Sequence, residues 1–183
     1  MLTRCSKYRV LFNKRIQTSD MITFDKDNGT FNYRVAGVAV HEGRVLLHRA
    51  AHEDFWTLPG GRCEMRELGA EALRREMMEE LGVEVVVERL LWVVENFFEY
   101  NGRLGHEIGF YYLMRFAGPV PPGWEQEGFS GLEEFDGNGN PFELIFRWYP
   151  QESLGALPIF PAFLAGRLCL PPGVLEHIIQ DNR

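Results

Sequence analysis

Residues 61–83, GRCEMRELGAEALRREMMEELGV, constrain the fold and the chemistry of this chain more than any other stretch. On a helix of 3.6 residues per turn, Glu76, Glu79 and Glu80 stand at i, i+3 and i+4 and therefore share one face. Like charges at these spacings repel, and the helix dipole adds to the cost because Glu79 and Glu80 lie in the last turn before Gly82 and Glu76 just before that turn. A bound divalent cation would reverse both penalties.

The same helix carries an apolar stripe beside its acidic face, formed by Ala70, Leu73, Met77 and Leu81. A stripe of this kind docks a helix on a sheet. Clustered carboxylate oxygens suit Mg²⁺, with Mn²⁺ as an alternative, and both ions commonly bridge carboxylates to phosphates. No cluster of His or Cys lies nearby, which argues against zinc. The pattern therefore predicts one face that anchors the helix and a neighbouring face that binds metal.

These residues resemble the signature of the Nudix hydrolase family, G-x5-E-x7-R-E-U-x-E-E-x-G-U, in which U is a bulky apolar residue. Every fixed position is filled, by Gly61, Glu67, Arg75, Glu76, Met77, Glu79, Glu80, Gly82 and Val83. We call residues 61–83 the box. With the strands predicted on either side, the resemblance extends from about Phe31 to about Tyr149. It implies the Nudix fold, a mixed α/β class in which an α/β/α sandwich surrounds a mixed β-sheet.

The resemblance also implies an enzyme that uses Mg²⁺ to hydrolyse a phosphoanhydride bond in a nucleoside diphosphate linked to another group. It assigns Glu79, Glu80 and the carbonyl of Gly60 as primary metal ligands, and Glu76 as a further ligand or base. Such a reaction requires neutralised phosphate oxygens and an activated water.

Two more residues of the box have implied roles, and one ligand is expected from outside it. Glu67 supports the metal shell, and Arg75 holds a carboxylate through its planar guanidinium, with an ordinary ion pair on the helix surface as the alternative. Family members often take a further carboxylate from beyond the box. Glu107, in a predicted strand, and Glu127, in an acidic loop over residues 117–141, are the candidates, and a surface carboxylate is the alternative for either.

Substrate specificity is expected outside the box, with Arg49, Trp56, Tyr100 and Glu107 as candidate binding residues. Core packing is the alternative for Trp56 and Tyr100, and a solvated strand end is the alternative for Arg49. His48 also stands at the end of this strand, and we expect its side chain to be solvated and not to face a phosphate.

The absence of Pro between Val83 and Pro119 counts against ADP-ribose, because the ADP-ribose subgroup of the family shows a proline-containing motif in this region. We expect a nucleoside triphosphate pyrophosphohydrolase of the MutT-like kind. The alternatives are a hydrolase of dinucleoside polyphosphates or nucleotide sugars, for which Tyr100 is a weak indication, and a Nudix domain that senses nucleotides without cleaving them.

Hydrophobic periodicity predicts strands over residues 31–40, 45–49, 83–100 (with a bend or bulge), 106–116 and 142–149. Asn101-Gly102 predicts a tight hairpin turn. Helices are predicted over residues 68–81, 161–168 and 174–180. Residues 1–30 are expected to form an N-terminal extension and residues 31–183 a single domain.

The net charge of −7 argues against nucleic acid as a partner. Three widely separated cysteines support neither a disulfide framework nor a zinc site, so a cytoplasmic location is expected. No apolar run approaches the ~20 residues needed to cross a bilayer, so no membrane partner is expected. A nucleotide is the expected partner, and a homodimer is compatible with the sequence.

Overall fold

The computed structural model describes residues 20–125, 128–131, 134–135, 141–169 and 173–183. Its helices are α1 (Gly69–Leu81), a 3-10 helix (Gln151–Ala156) and α2 (Phe163–Arg167). The longer strands are β2 (Gly29–His41), β3 (Arg44–Ala50), β4 (Val85–Tyr100), β5 (Arg103–Phe116) and β9 (Leu144–Pro150). The shorter strands are β1 (Thr23–Lys26), β6 (Phe129–Ser130), β7 (Glu134–Phe135), β8 (Pro141–Phe142) and β10 (Glu176–Asp181).

The main sheet has the strand order β10-β4-β5-β2-β3-β9-β6, and β1 pairs with β2 beside this path. Strands β10 and β4 run parallel, as do β2 and β5, whereas the other pairs are antiparallel. The mixed sheet predicted from the sequence is therefore confirmed. β7 and β8 pair with each other in a separate two-stranded sheet.

The long hairpin of β4 and β5 forms as the sequence predicts. Asn101 and Gly102 both have positive φ, 51° and 73°, which suits the two central positions of a type I′ turn. The register shifts between Val87 and Arg89 and again between Leu90 and Trp92, so the expected irregularity of β4 is also present.

Helix α1 begins after Leu68, whose N–H donates to the Glu71 carboxylate, and ends at Gly82 in the left-handed conformation (φ 67°, ψ 25°). This cap is the role predicted for Gly82. Leu73, Met77 and Leu81 of the expected apolar stripe are buried. They join one hydrophobic cluster with Val35 and other side chains from one face of the sheet.

The second hydrophobic cluster covers the opposite face of the sheet. It contains Ala36 and Val38 of β2 together with Leu154 of the 3-10 helix and Leu164 of α2. Because neighbouring residues of a strand point to opposite faces, β2 contributes Val35 to one cluster and Ala36 to the other. Helices thus pack on both sides of the sheet, as the fold class predicts. Among the described residues, no helix is long and apolar enough to span a membrane.

One secondary-structure prediction for the C-terminal region is wrong. The helix expected over residues 174–180 is instead strand β10, which pairs in parallel with β4. Along β10 half-buried and exposed residues alternate, and Ile178 packs on the core while Ile179 is exposed. Pairing with the edge of β4 determines this conformation, and a short segment viewed alone does not reveal such a partner.

The sheet also begins earlier than the start expected for the domain. Strand β1 pairs with β2 from Thr23↔Asn32 to Lys26↔Gly29, so this part of the segment assigned to an extension is integrated into the sheet.

Candidate functional site

The chain that leads into the box is inserted between β2 and β3. These strands pair directly only at Val40↔Val45 and His41↔Arg44. Beyond that point, the N–H groups of Val35 and Gly37 donate to the carbonyls of Gly61 and Pro59, both at 2.9 Å. On the other side, Thr57 exchanges two backbone hydrogen bonds with His48. The start of the box is therefore fixed by backbone bonds to both flanking strands.

Gly60 and Gly61 are required by close approaches at this insertion. Gly60 has a φ of +136°, and a Cβ there would lie 2.3 Å from the carbonyl oxygen of Val35. A Cβ on Gly61 would lie 2.3–2.4 Å from the carboxyl atoms of Glu76. The glycine pair therefore allows the loop to pass β2 and lets the Glu76 carboxylate lie directly against the backbone.

Arg75 holds the carboxylates of the box in place. Its Nε and Nη2 donate to the two oxygens of Glu67 at 2.9 and 3.0 Å, in a bidentate pair. Its Nη1 donates to Glu76 at 2.8 Å and to Glu79 at 3.0 Å, and its Nη2 also donates to the carbonyl of Arg62 at 2.9 Å. Arg75 is thus a shared donor for three carboxylates, which differs from an isolated surface ion pair.

The pKa shifts in this network reflect competition between burial and charge. Burial alone would lower the pKa of Arg75, but the hydrogen bonds that Arg75 donates to Glu67 and the charge of Glu76 outweigh burial and raise the pKa. Burial would raise the pKa of Glu67, but the hydrogen bond from Arg75 and one from the Glu64 N–H lower it. For Glu76, desolvation exceeds the effect of Arg75, so the pKa is raised.

Glu80 is buried beside β3. It is 5% exposed, and its Oε2 lies 3.7 Å from Nδ1 of His48. His48 is itself 6% exposed, so the prediction of a solvated side chain is wrong: the insertion of residues 57–61 covers this end of β3. Burial, and secondarily the charge of Arg34, lowers the pKa of His48 to about 3. His48 is therefore neutral at neutral pH and forms no ion pair with Glu80.

A large cavity of about 780 Å³ opens beside Gly60 and Glu80. Arg34 lies in its wall and donates to the carbonyls of Gly60 (3.1 Å) and Leu58 (3.4 Å). Arg62, whose Nε donates to Asn32 at 3.0 Å, lines the same cavity. Two guanidinium groups thus lie at the end of the cavity nearest the box.

Glu107 also lines this cavity, from strand β5. It is 8% exposed, and Asn96 donates to it at 3.5 Å. Desolvation raises the pKa of Glu107, and the positive charge of Arg34 opposes this shift. The other candidate for the additional carboxylate, Glu127, lies outside the described residues.

The four candidate substrate-binding residues are divided between two places. Tyr100 and Glu107 line the large cavity. Arg49 and Trp56 instead line a separate pocket of about 290 Å³. Trp56 is a core residue, packed edge-on to Tyr149, and Arg49 stacks over Trp56 while donating to loop carbonyls such as that of Ala51 at 3.2 Å. Tyr100 is 44% exposed, so the alternative of core packing is wrong for it.

Sequence reasoning missed Arg34 and Arg62. Arg34 is the one charged residue in FNYRVAGVAV, a strand predicted to be buried. A charged residue is rarely buried without a partner, so its presence there could have indicated a functional role. Arg62 occupies a variable position of the box, where the signature gives no information.

The donor set suits a hard cation, because every candidate ligand presents an oxygen. The glycine at position 61 leaves room for the Glu76 carboxylate that a Cβ would fill. Within the described ranges, no three His, Cys, Asp or Glu side chains converge closely enough to form a ready-made metal site. Two of the candidate ligands, Glu76 and Glu79, accept hydrogen bonds from Arg75. The residues fit the chemistry of Mg²⁺, and the ligand set itself remains a prediction.

The family model described as NUDIX domain matches residues 31–161. The chain belongs to the Nudix family. This confirms the resemblance inferred from the box.

A crystal structure of a UDP-X diphosphatase superposes with a TM-score of 0.54 at 20% identity, covering 84% of this chain and 69% of that one. The crystal structure of an ADP-ribose pyrophosphatase from Streptococcus suis superposes with a TM-score of 0.52 at 16% identity, covering 81% of this chain and 98% of that one. At these identities the two structures establish the Nudix fold alone.

Curated relatives match over part of the chain. A putative ADP-ribose pyrophosphatase of Bacillus subtilis is 35% identical over 78 residues, 43% of this chain and 38% of the relative. A MutT-like protein of Streptomyces ambofaciens is 44% identical over 63 residues, 34% of this chain and 41% of the relative. A CTP pyrophosphohydrolase of Escherichia coli is 37% identical over 76 residues, 39% of this chain and 55% of the relative. The matched region thus spans less than two thirds of each of these relatives.

Proposed function

We propose that this Nudix protein is a hydrolase that uses Mg²⁺, or Mn²⁺ in its place, to cleave a phosphoanhydride bond in a nucleoside diphosphate linked to another group. Nucleoside triphosphates are its proposed substrates, and pyrophosphate is released. The supporting observation is that Gly60 and Glu80 line the same cavity as Arg34 and Arg62. Two of the candidate metal ligands and both candidate phosphate-binding arginines therefore face one space that is large enough for a nucleotide.

Glu79, Glu80 and the carbonyl oxygen of Gly60 would hold the ion, with Glu76 as a further ligand or base. The Gly60 carbonyl accepts a hydrogen bond from Arg34 and still has a second lone pair for a ligand. When bound, the ion neutralises phosphate oxygens and lowers the pKa of a bound water.

The chain's other charged groups position the reactants. Arg34 and Arg62 offer guanidinium donors to the phosphates, and Arg75 keeps Glu67 and Glu76 in fixed orientations. Glu107 supplies the additional carboxylate, because it lies in the same cavity and its raised pKa suits a group that exchanges protons.

The test is release of pyrophosphate or phosphate from a nucleotide panel, followed by ³¹P NMR with and without EDTA. We expect turnover that requires Mg²⁺, and a loss on the order of a hundredfold or more in Glu79→Gln and Glu80→Gln. Glu88→Gln is the matched control, because Glu88 lies on β4 and pairs with Arg115 at 3.2 Å. Unchanged turnover in both box variants would contradict the assignment.

The panel also decides the substrate. It contains nucleoside triphosphates, a dinucleoside polyphosphate, a nucleotide sugar and ADP-ribose, which is included because the Bacillus subtilis relative carries that name. We expect kcat/KM for a nucleoside triphosphate to exceed the others at least about tenfold, which is ~1.4 kcal/mol of transition-state discrimination. Saturable binding without product from any member would indicate a nucleotide-sensing domain instead.

A further inference from the structure

Part of the large cavity is lined by aromatic side chains. Phe55, Phe98 and Phe160 line it together with Tyr100. Phe98 and Phe160 meet edge to face with ring centroids 5.3 Å apart, Phe55 and Phe160 at 5.9 Å, and Phe55 and Tyr100 at 6.4 Å. We call these four residues the aromatic wall.

The aromatic wall is separate from the core. None of its members belongs to either hydrophobic cluster among the described residues, and the three phenylalanines are only half-buried. Apolar surface left in contact with water costs about 25 cal/mol per Å². Several rings that face a cavity instead of completing a core therefore indicate a ligand with an apolar, planar part.

The backbone is adapted to keep one of these rings in place. Phe98 and Gly105 are paired across β4 and β5, and a Cβ on Gly105 would lie 2.4–2.7 Å from the Phe98 ring. Only glycine at this position lets the ring lie against the strand. The position of Phe98 is thus fixed by the sheet, which reduces the entropy that binding would otherwise cost.

Phe98 pairs with Gly105, and Gly105 pairs with Thr30, which lies four residues from Arg34 along β2, or about 13 Å at ~3.3 Å per residue. Arg34 and Arg62 face each other across an isolated bridge, and we call their part of the cavity the cationic end. The third arginine of the lining, Arg103, is paired with Asp25 at 2.9 Å.

We infer that the aromatic wall is the subsite for the base of the nucleotide, with the phosphates at the cationic end. The wall rings recognise the base by stacking, so Phe98 and Phe160 contribute affinity for any nucleoside polyphosphate and little discrimination among bases. This inference rests on the proposed function for the identity of the ligand.

The test separates the base from the phosphates. Binding of an α,β-methylene nucleoside triphosphate and of inorganic tripolyphosphate is measured by calorimetry in Mg²⁺, for the wild type, Phe98→Ala and Phe160→Ala. We expect the nucleotide to bind roughly 5- to 150-fold more weakly to the variants and tripolyphosphate to bind equally well. Phe24→Ala is the matched control, because Phe24 stacks on Phe31 outside the cavity and its loss should change neither affinity.

Phe98→Leu is the control for a folding defect, because leucine keeps an apolar side chain over Gly105 but has no aromatic ring on which a base could stack. Its thermal midpoint should match the wild type while nucleotide binding is weakened as in Phe98→Ala. Equal losses for both ligands, or no loss for the nucleotide, would overturn the inference. The two proposals fail separately: nucleotide binding that depends on the wall, without hydrolysis, would refute the enzymatic function alone, whereas hydrolysis with wall-independent binding would refute the base subsite alone.

Discussion

Replacing Arg75 with alanine should destabilise the protein far more than replacing its neighbour Arg74. Arg75 donates five hydrogen bonds, four of them to carboxylates. The side chains of Glu67 and Glu76 are only 15% and 12% exposed. Without Arg75, their negative charges would therefore be left unpaired with little access to water. Arg74, by contrast, is exposed and donates one bond, to the carbonyl of Ala70 at 3.2 Å.

The magnitude follows from the burial of each partner. Breaking a fully buried ion pair costs ~3–5 kcal/mol. Arg75 is 21% exposed, which reduces this cost, and the bond to the 56% exposed Glu79 adds at most about 1 kcal/mol. We expect Arg75→Ala to lower the free energy of unfolding by about 2–4 kcal/mol. For a chain of this size, that corresponds to a thermal midpoint lower by about 5–15 °C.

The assay is urea denaturation followed by tryptophan fluorescence at pH 7 in EDTA. Arg74→Ala should lie within ~0.5 kcal/mol of the wild type, as surface substitutions usually do. Arg75→Lys should be intermediate, because an ammonium cannot make the bidentate pair with Glu67. If Arg75→Ala and Arg74→Ala have equal free energies of unfolding, the reasoning from the shared guanidinium is refuted.

Three further predictions use other parts of the structure. Gly61→Ala should abolish turnover while the protein still folds, because its Cβ would displace the Glu76 carboxylate; normal turnover would contradict the close approach. Ile178→Asn should destabilise by about 1–2 kcal/mol, and Ile179→Asn by less than ~0.5, in urea titrations; equal effects would argue against strand β10. The raised pKa of Glu107 means that the folded state binds the proton more tightly, so stability is lost as pH rises through that pKa. Glu107→Gln should therefore raise the thermal midpoint at pH 7 but not at pH 4. The same shift in midpoint at both pH values would contradict a raised pKa for Glu107.

The parts of the fold that local chemistry specifies could be predicted from the sequence. Helix α1 and its Gly82 cap, the Asn101-Gly102 hairpin and the central strands all follow from periodicity and turn residues. The box residues were predicted from their resemblance to the family signature, and Arg75 indeed bridges three of their carboxylates.

Features that depend on distant partners could not be predicted in this way. Strand β10 exists because β4 offers an edge, and nothing within residues 174–180 reveals that partner. Likewise, His48 is buried because residues 57–61 insert beside it. His48 lines the large cavity with Tyr100, whereas Arg49, the next residue of β3, points to the opposite face and lines the other pocket. The candidate substrate-binding residues depend on such long-range arrangements more than the candidate metal ligands of the box do.

The insertion of residues 57–61 between β2 and β3 has a consequence for how this site can change. It opens a gap in the pairing of these two strands, so the cavity is lined by Glu80 from the helix side and by Arg34 from the opposite side of the sheet. Under the proposed function, a metal ligand and a phosphate-binding side chain then come from different layers of the molecule. Substitutions on the layer opposite α1 should therefore alter ligand binding while the packing of α1 stays untouched.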